Sequence, residues 1–121
     1  MDRDYFRGIC EYAHFMESDE YTFIDKKTSL IYSYKEEYIN IYGVINKELH
    51  QHLEKEFQEL FTKEAKTKTI FYDNKCYVNI TLTGPDIVIS SYLFNFVNTV
   101  KEFFCEEKED NSFKVKKYSF Q

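Results

Sequence analysis

From residue 21 to residue 45 the apolar side chains recur at every second position: Tyr21 and Phe23, then Leu30, Tyr32 and Tyr34, then Ile39, Ile41 and Ile45. A period of two is that of a strand with one buried face. The breaks between these runs, Asp25-Lys26-Lys27-Thr28 and Lys35-Glu36-Glu37, are short and polar. Connections of that length close hairpins, whereas parallel strands need a crossover of a dozen residues or more. Three consecutive antiparallel strands are therefore expected, and whatever else the chain forms must pack on the sheet they begin.

The flanking segments change period. Tyr5, Phe6, Ile9, Ala13 and Met16 recur at spacings of three and four, which predicts an amphipathic helix over 4–17, with Asp2 and Asp4 favourable at its start. Asn46 stands at an N-cap position before Leu49, Leu53, Phe57, Leu60 and Phe61, a second helix with a mixed charged outer face. Two strands follow over 69–73 and 75–83, joined through Asp73-Asn74-Lys75; in the second, Cys76, Val78, Ile80 and Leu82 share the core phase. Beyond Gly84-Pro85-Asp86, the residues Ile89, Leu93, Phe96, Val97, Val100, Phe103 and Phe104 mark a long buried helix. The β-branched run Ile87-Val88-Ile89 leaves two starts open, one within the run and one at Ser90 or Ser91 after a stretch of strand, and the helix is read as ending at the acidic run 106–110. A last strand is read over 113–120. The predicted order is α-βββ-α-ββ-α-β, an α+β fold with a curved antiparallel sheet of about six strands and three helices on one face. With 121 residues, it occupies the whole chain as one domain, 1–121.

Composition narrows the function. Asp and Glu outnumber Lys and Arg by 21 to 16, giving a net charge of −5, which opposes the phosphate attraction that nucleic-acid binders use. Lys114, Lys116 and Lys117 are the one compact basic group and read as edge protection, so no direct nucleic-acid contact is expected. The most apolar stretch, 87–100, is interrupted by Ser90, Ser91, Asn95 and Asn98, so no bilayer span is expected. The Met1-Asp2-Arg3-Asp4 start lacks the basic opening of a secretory signal, which points to the cytoplasm. Cys10, Cys76 and Cys105 are odd in number and widely spaced, and are read as buried reduced thiols.

No constellation for catalysis declares itself. His50 and His52 diverge on a helix, and Cys10 with His14 supplies only two ligands, so no metal is expected. Ser90 and Ser91 lack the flanking glycines of a nucleophile elbow, and Gly84 stands outside any phosphate-binding loop, so neither catalytic residues nor a cofactor are assigned. Were the chain an enzyme, Glu11, Tyr12, His14 and His50 are the groups to inspect. Its aromatic content is the stronger signal: 11 Tyr and 12 Phe with no Trp. Some of Tyr32, Tyr34, Tyr38, Tyr42, Tyr72 and Tyr77 must lie outside the core, either packed across strands or presented to a partner. Acids interleave with them: Asp19, Glu20, Asp25, Glu36, Glu37 and Asp73. An acidic, aromatic surface suits a basic protein partner. The partner-binding candidates are Tyr34, Glu36, Glu37, Tyr38 and Asp73 from hairpin ends, then Glu54 and Glu59 on the second helix.

In size, acidity and composition the chain resembles the small cytoplasmic immunity proteins that neutralise toxins delivered between competing bacteria. That resemblance implies stoichiometric occlusion of a basic toxin domain, typically a nuclease. A phage or viral inhibitor of a host nucleic-acid-handling complex has the same signature. A small-molecule-binding α+β domain requires an internal cavity instead, and self-association through the aromatic sheet face is a further expectation.

Overall fold

The computed structural model describes residues 2–62 and 66–112, with side chains up to Cys105. The elements are α1 (Arg3–Tyr12), β1 (Met16–Asp19), β2 (Thr22–Ile24), β3 (Ile31–Tyr34), β4 (Ile39–Asn46), α2 (Lys47–Glu56), α3 (Gln58–Phe61), β5 (Thr67–Tyr72), β6 (Lys75–Leu82) and α4 (Asp86–Ser112). The six strands form one antiparallel-paired sheet in the order β1-β2-β3-β4-β6-β5. The fold is α+β, as the pattern predicts, with four helices among the described residues rather than three. Because β6 is antiparallel to both β4 and β5, the α2–α3 connection carries the chain to a strand parallel to β4 and leaves room for β6 between them.

One face of the sheet is buried beneath the helices. Phe23, Tyr32, Ile39, Ile41 and the whole Cys76-Val78-Ile80-Leu82 phase join Phe6 and Ile9 of α1, Leu49 and Leu53 of α2, and Leu93, Phe96 and Val97 of α4 in a single cluster. The opposite face carries half-exposed Tyr42, Tyr77 and Asn79. Tyr32 belongs to the core outright: its ring stacks on Phe15 at 4.6 Å and meets Phe96 edge-on at 6.3 Å. Its hydroxyl is buried and, among the described residues, has no hydrogen-bond partner. Burial, with Asp25 and Cys10 nearby, pushes that phenol well above its usual range.

The local signals for α2 and the β5–β6 turn hold. Asn46 Oδ1 accepts from the Leu49 amide at 2.8 Å, capping α2, and Asp73 takes a left-handed φ of 55° in the turn. Three helices differ from their expected bounds. The first helix stops at Tyr12 instead of Glu17, because His14 adopts φ 65° and the chain closes with bonds from Phe15 N to Cys10 O and from His14 N to Glu11 O. That pair is a Schellman end. Met16–Asp19 is then released as β1, supplying a strand outside the predicted set, and Arg7 ties it to α1 through a 2.7 Å ion pair with Glu17. Secondly, Pro85 O accepts the amides of Val88 and Ile89, so α4 starts at Asp86 and includes the β-branched run. It also runs through the acidic residues to Ser112. Thirdly, α2 breaks at Phe57, at φ −127° and ψ 55°, into the short α3. The expected strand over 113–120 and its lysines lie outside the described residues.

Asp25 is no surface acid. It is 8% exposed and organises the β2–β3 turn: Oδ1 accepts from Lys27 N and Oδ2 from Thr28 Oγ1, while Thr28 Oγ1 accepts from Leu30 N. The turn folds Leu30 over Gly43, where φ is 152° and a Cβ would sit 3.0 Å from Ser29 O. Among the described residues no helix is long and apolar enough to cross a membrane.

Two substitutions check this account. His14→Gly relieves a left-handed residue that carries a Cβ and is expected to raise unfolding stability by roughly 0.5–1 kcal/mol in denaturant titration; a loss would show that the His14 side chain contributes more than its backbone costs. Tyr32→Phe removes an unpartnered buried hydroxyl and is expected to stabilise by about 1–3 kcal/mol. A Tyr32→Phe variant that unfolds more easily than the parent would mean that the hydroxyl is satisfied.

Candidate functional site

The β3–β4 hairpin is closed by the Lys35 amide donating to Tyr38 O at 2.9 Å, which leaves Glu36 and Glu37 exposed at the tip. Tyr34 is half-buried beneath them and packs on Phe6 at 5.6 Å and Tyr21 at 6.2 Å. In the β4–β6 ladder Ile39 pairs with Leu82, so the chain leaving β6 emerges beside this hairpin. It turns through Gly84, at φ 125°, and starts α4 there. The result is a cleft of about 190 Å³ whose walls include Tyr34, Glu36, Glu37 and Tyr38 from the hairpin and Asp86 from α4. Lys35 also lines this cleft, but its one ammonium is outnumbered by the carboxylates of Glu36, Glu37 and Asp86; with tyrosine walls, the balance favours an ammonium or guanidinium group, since aromatic faces attract cations as carboxylates do.

On the other flank of the same helical turn lies an open groove of about 640 Å³, between the α2–α3 break and α4. Phe57, Ile87, Val88 and Tyr92 supply its apolar surface, and Glu56, Glu59 and Lys55 its charges, two acids to one base. The Phe57 and Tyr92 rings are 6.2 Å apart, and the Tyr92 hydroxyl donates to Glu59 Oε1 at 3.5 Å. Burial and the Glu59 carboxylate raise the Tyr92 phenol above its usual range. Between the cleft and the groove stands a ridge, where Ile87 is 75% and Val88 42% exposed.

Five of the seven sequence candidates therefore gather around the start of α4: Tyr34, Glu36, Glu37 and Tyr38 on one flank and Glu59 on the other. Two do not. Asp73 sits in the β5–β6 turn, where Lys75 pairs with Asn46 at the far end of the ladder from Ile39, roughly 23 Å away along an eight-residue strand. Glu54 points from α2 toward His50 Nδ1 at 4.0 Å, apart from the groove. Asp86, Ile87 and Val88 were absent from the sequence candidates. A signal for them exists: with Ile89, Leu93 and Phe96 facing inward on one helix, positions 87 and 88 fall outside the inward arc.

The other chemical candidates are dispersed. His50 is buried, with Phe61 and Phe71 against its ring at 5.4 and 5.2 Å, while His52 lies against Phe103 at 5.2 Å. Tyr12 donates to Asn98 Oδ1 at 3.3 Å, and Ser90 to Ile87 O at 3.2 Å. Cys10 and Cys76 are buried, burial pushing the Cys10 thiol up to about 12; Cys105, expected inside, is exposed. Among the described residues no group of three or more His, Cys, Asp or Glu is arranged to hold a metal.

His50 makes stability depend on pH. Burial lowers its pKa below the ordinary value and outweighs the opposing pull of Glu54, so the fold favours the neutral ring. Its contribution is complete above the unfolded pKa of about 6.5 and declines as pH falls below that value. In thermal melts between about pH 7.5 and 5, His50→Phe is expected to lose less stability on acidification than the parent. Equal losses in the two proteins would remove His50 as a source.

No protein-family model, curated protein or solved structure matches this chain.

Proposed function

We propose that this protein is a small acidic inhibitor that works by binding, with the first turn of α4 at the centre of its contact surface. The supporting observation is the exposed Ile87–Val88 ridge set between two flanks that carry acids and aromatic rings. Interface energy concentrates in apolar and aromatic anchors at the centre of a patch, and surrounding charges steer the encounter. Here the ridge and Tyr92 are the anchors. Glu36, Glu37, Asp86 and Glu59 form the steering field, and the hairpin cleft receives a lysine or arginine of the partner.

The partner is a basic protein domain. By the resemblance in size and charge to bacterial immunity proteins, it is a toxin, typically a nuclease, which this chain occludes in the cytoplasm at one-to-one without a catalytic step or cofactor. Its net charge of −5 has the sign required to mask a domain that binds nucleic acid.

Capture from the native host's extract tests the reading. At low salt the parent chain is expected to retain a basic protein at near one-to-one, and to abolish that protein's nuclease activity. Glu36→Lys with Glu37→Lys is expected to slow association about tenfold at low salt, and Ile87→Ser to weaken the complex about tenfold or more, chiefly through faster release. Recovery of the chain alone, or a partner indifferent to both changes, would sink it.

A further inference from the structure

The sheet ends in two edges of different character. β1 has four residues, all exposed, carries Glu17 and Asp19, and is interrupted by a register shift between them. Short, charged, irregular edges resist pairing with another strand. β5 has six residues in unbroken register with β6, has Lys68 as its sole charge, and ends in Ile70, Phe71 and Tyr72, which are 64%, 57% and 76% exposed. A regular apolar edge of this kind is a template for another strand.

Its free hydrogen-bonding groups can be assigned. Thr81 N donates to Lys66 O at 2.7 Å. In an antiparallel ladder, bonded and non-bonded pairs alternate. With Thr67 opposite Ile80 and Tyr72 opposite Lys75, the backbone groups of Lys68, Ile70 and Tyr72 face β6, and those of Thr67, Thr69 and Phe71 face outward. Among the described residues, none of these outward backbone groups has a partner.

We propose that β5 is a self-association strand, through which two copies pair antiparallel across a two-fold axis at Ile70 and join their sheets. A two-fold perpendicular to the sheet requires opposed residues to share a face, and a dyad on a residue satisfies this because side chains alternate. Ile70 then meets Ile70 of the second copy. The outward N–H and C=O of Thr69 meet those of Phe71 of the second copy, and reciprocally. Lys68 lies opposite Tyr72 of the second copy, a cation beside a ring, as Arg7 lies 4.8 Å from the Tyr21 ring within one chain. Asp73 follows Tyr72 and so falls beside the other copy's basic Lys66-to-Lys68 stretch, placing opposite charges together at each end. The self-complementary register selects a second copy over an unrelated strand. The guarded β1 edge does not take β5, so assembly closes at two.

Sedimentation at roughly 100 µM, above the micromolar range that a small interface supports, is expected to give twice the 14.7 kDa chain mass. On dilution to the monomer, the amides of Thr69 and Phe71 are expected to exchange faster while those of Ile70 and Tyr72, bonded to β6, do not. Ile70→Lys sets like charges against each other on the axis. Thr69→Pro removes an outward N–H and leaves the β6 ladder intact. Both variants are expected to be monomeric, with the parent's circular dichroism and cooperative melting. If one misfolds, the other and the parent's exchange pattern decide. A monomeric parent at this concentration overturns the proposal and leaves the edge to an extended strand of another protein. A dimer that survives in either folded variant, or a mass that climbs past two chains, overturns it as well.

Discussion

The pairing of β4 with β6 is the constraint on which the other packing depends. Each strand contributes eight residues, and the register is continuous from Ile39–Leu82 to Asn46–Lys75. On one side of this ladder lie hairpins that form between neighbours in sequence; on the other lies β5, fixed by its turn to β6. Among the described residues, only the pairing of β4 with β6 joins the two strand systems, and it closes a loop containing α2, α3 and β5. A nonlocal ladder of this kind must offset a larger loop-closure entropy than the hairpins on either side. Once formed, it sets Ile41 beside Ile80 and Ile45 beside Cys76, the apolar floor on which α2 and α4 rest.

The same ladder decides which surface residues become neighbours. Its Ile39–Leu82 end delivers the hairpin tip and the start of α4 to one place, and its Asn46–Lys75 end holds Asp73 far from them. Hairpin ends look equivalent in sequence because each has acids and tyrosines near a turn. They are separated by antiparallel geometry, which sends alternate turns to opposite ends of a sheet. Sequence therefore made Tyr34, Glu36, Glu37 and Tyr38 legible as a group, being local, but gave no means of choosing between Asp73 and Asp86 as their companion.

Other features were legible to the extent that their causes were local. Asn46 caps α2 through its own side chain, and the alternation of Cys76 to Leu82 reports its buried face directly. The end of α1 was hidden because a Schellman turn is usually announced by glycine, and here His14 takes the left-handed position. Residues after Ala13 thus read as more helix when they form β1. The start of α4 was hidden for the opposite reason: three β-branched residues favour strand, yet Pro85 and Asp86 initiate a helix whose inward residues, Ile89 to Val100, bury about three turns in the core. Burial outweighs a propensity difference of a few tenths of a kcal/mol per residue. That override also turns Ile87 and Val88 outward, so the residue types that disguised the helix are the ones that furnish its exposed ridge.

Two apolar exposures, the α4 ridge and the β5 edge, therefore occur in a chain that guards its other sheet edge with Glu17, Asp19 and a register shift. Their electrostatic settings differ. The ridge stands among Glu36, Glu37, Asp86 and Glu59, and the attraction proposed for a basic partner is one that weakens as salt screens these charges. At β5 the proposed contact is between like molecules of charge −5, so screening relieves repulsion between them without weakening the main-chain bonds and Ile70 contact of that pairing. Salt then moves the two associations in opposite directions. Because each responds to a different set of side chains, a single titration with salt separates them even in one preparation, and attributes either association to its own surface.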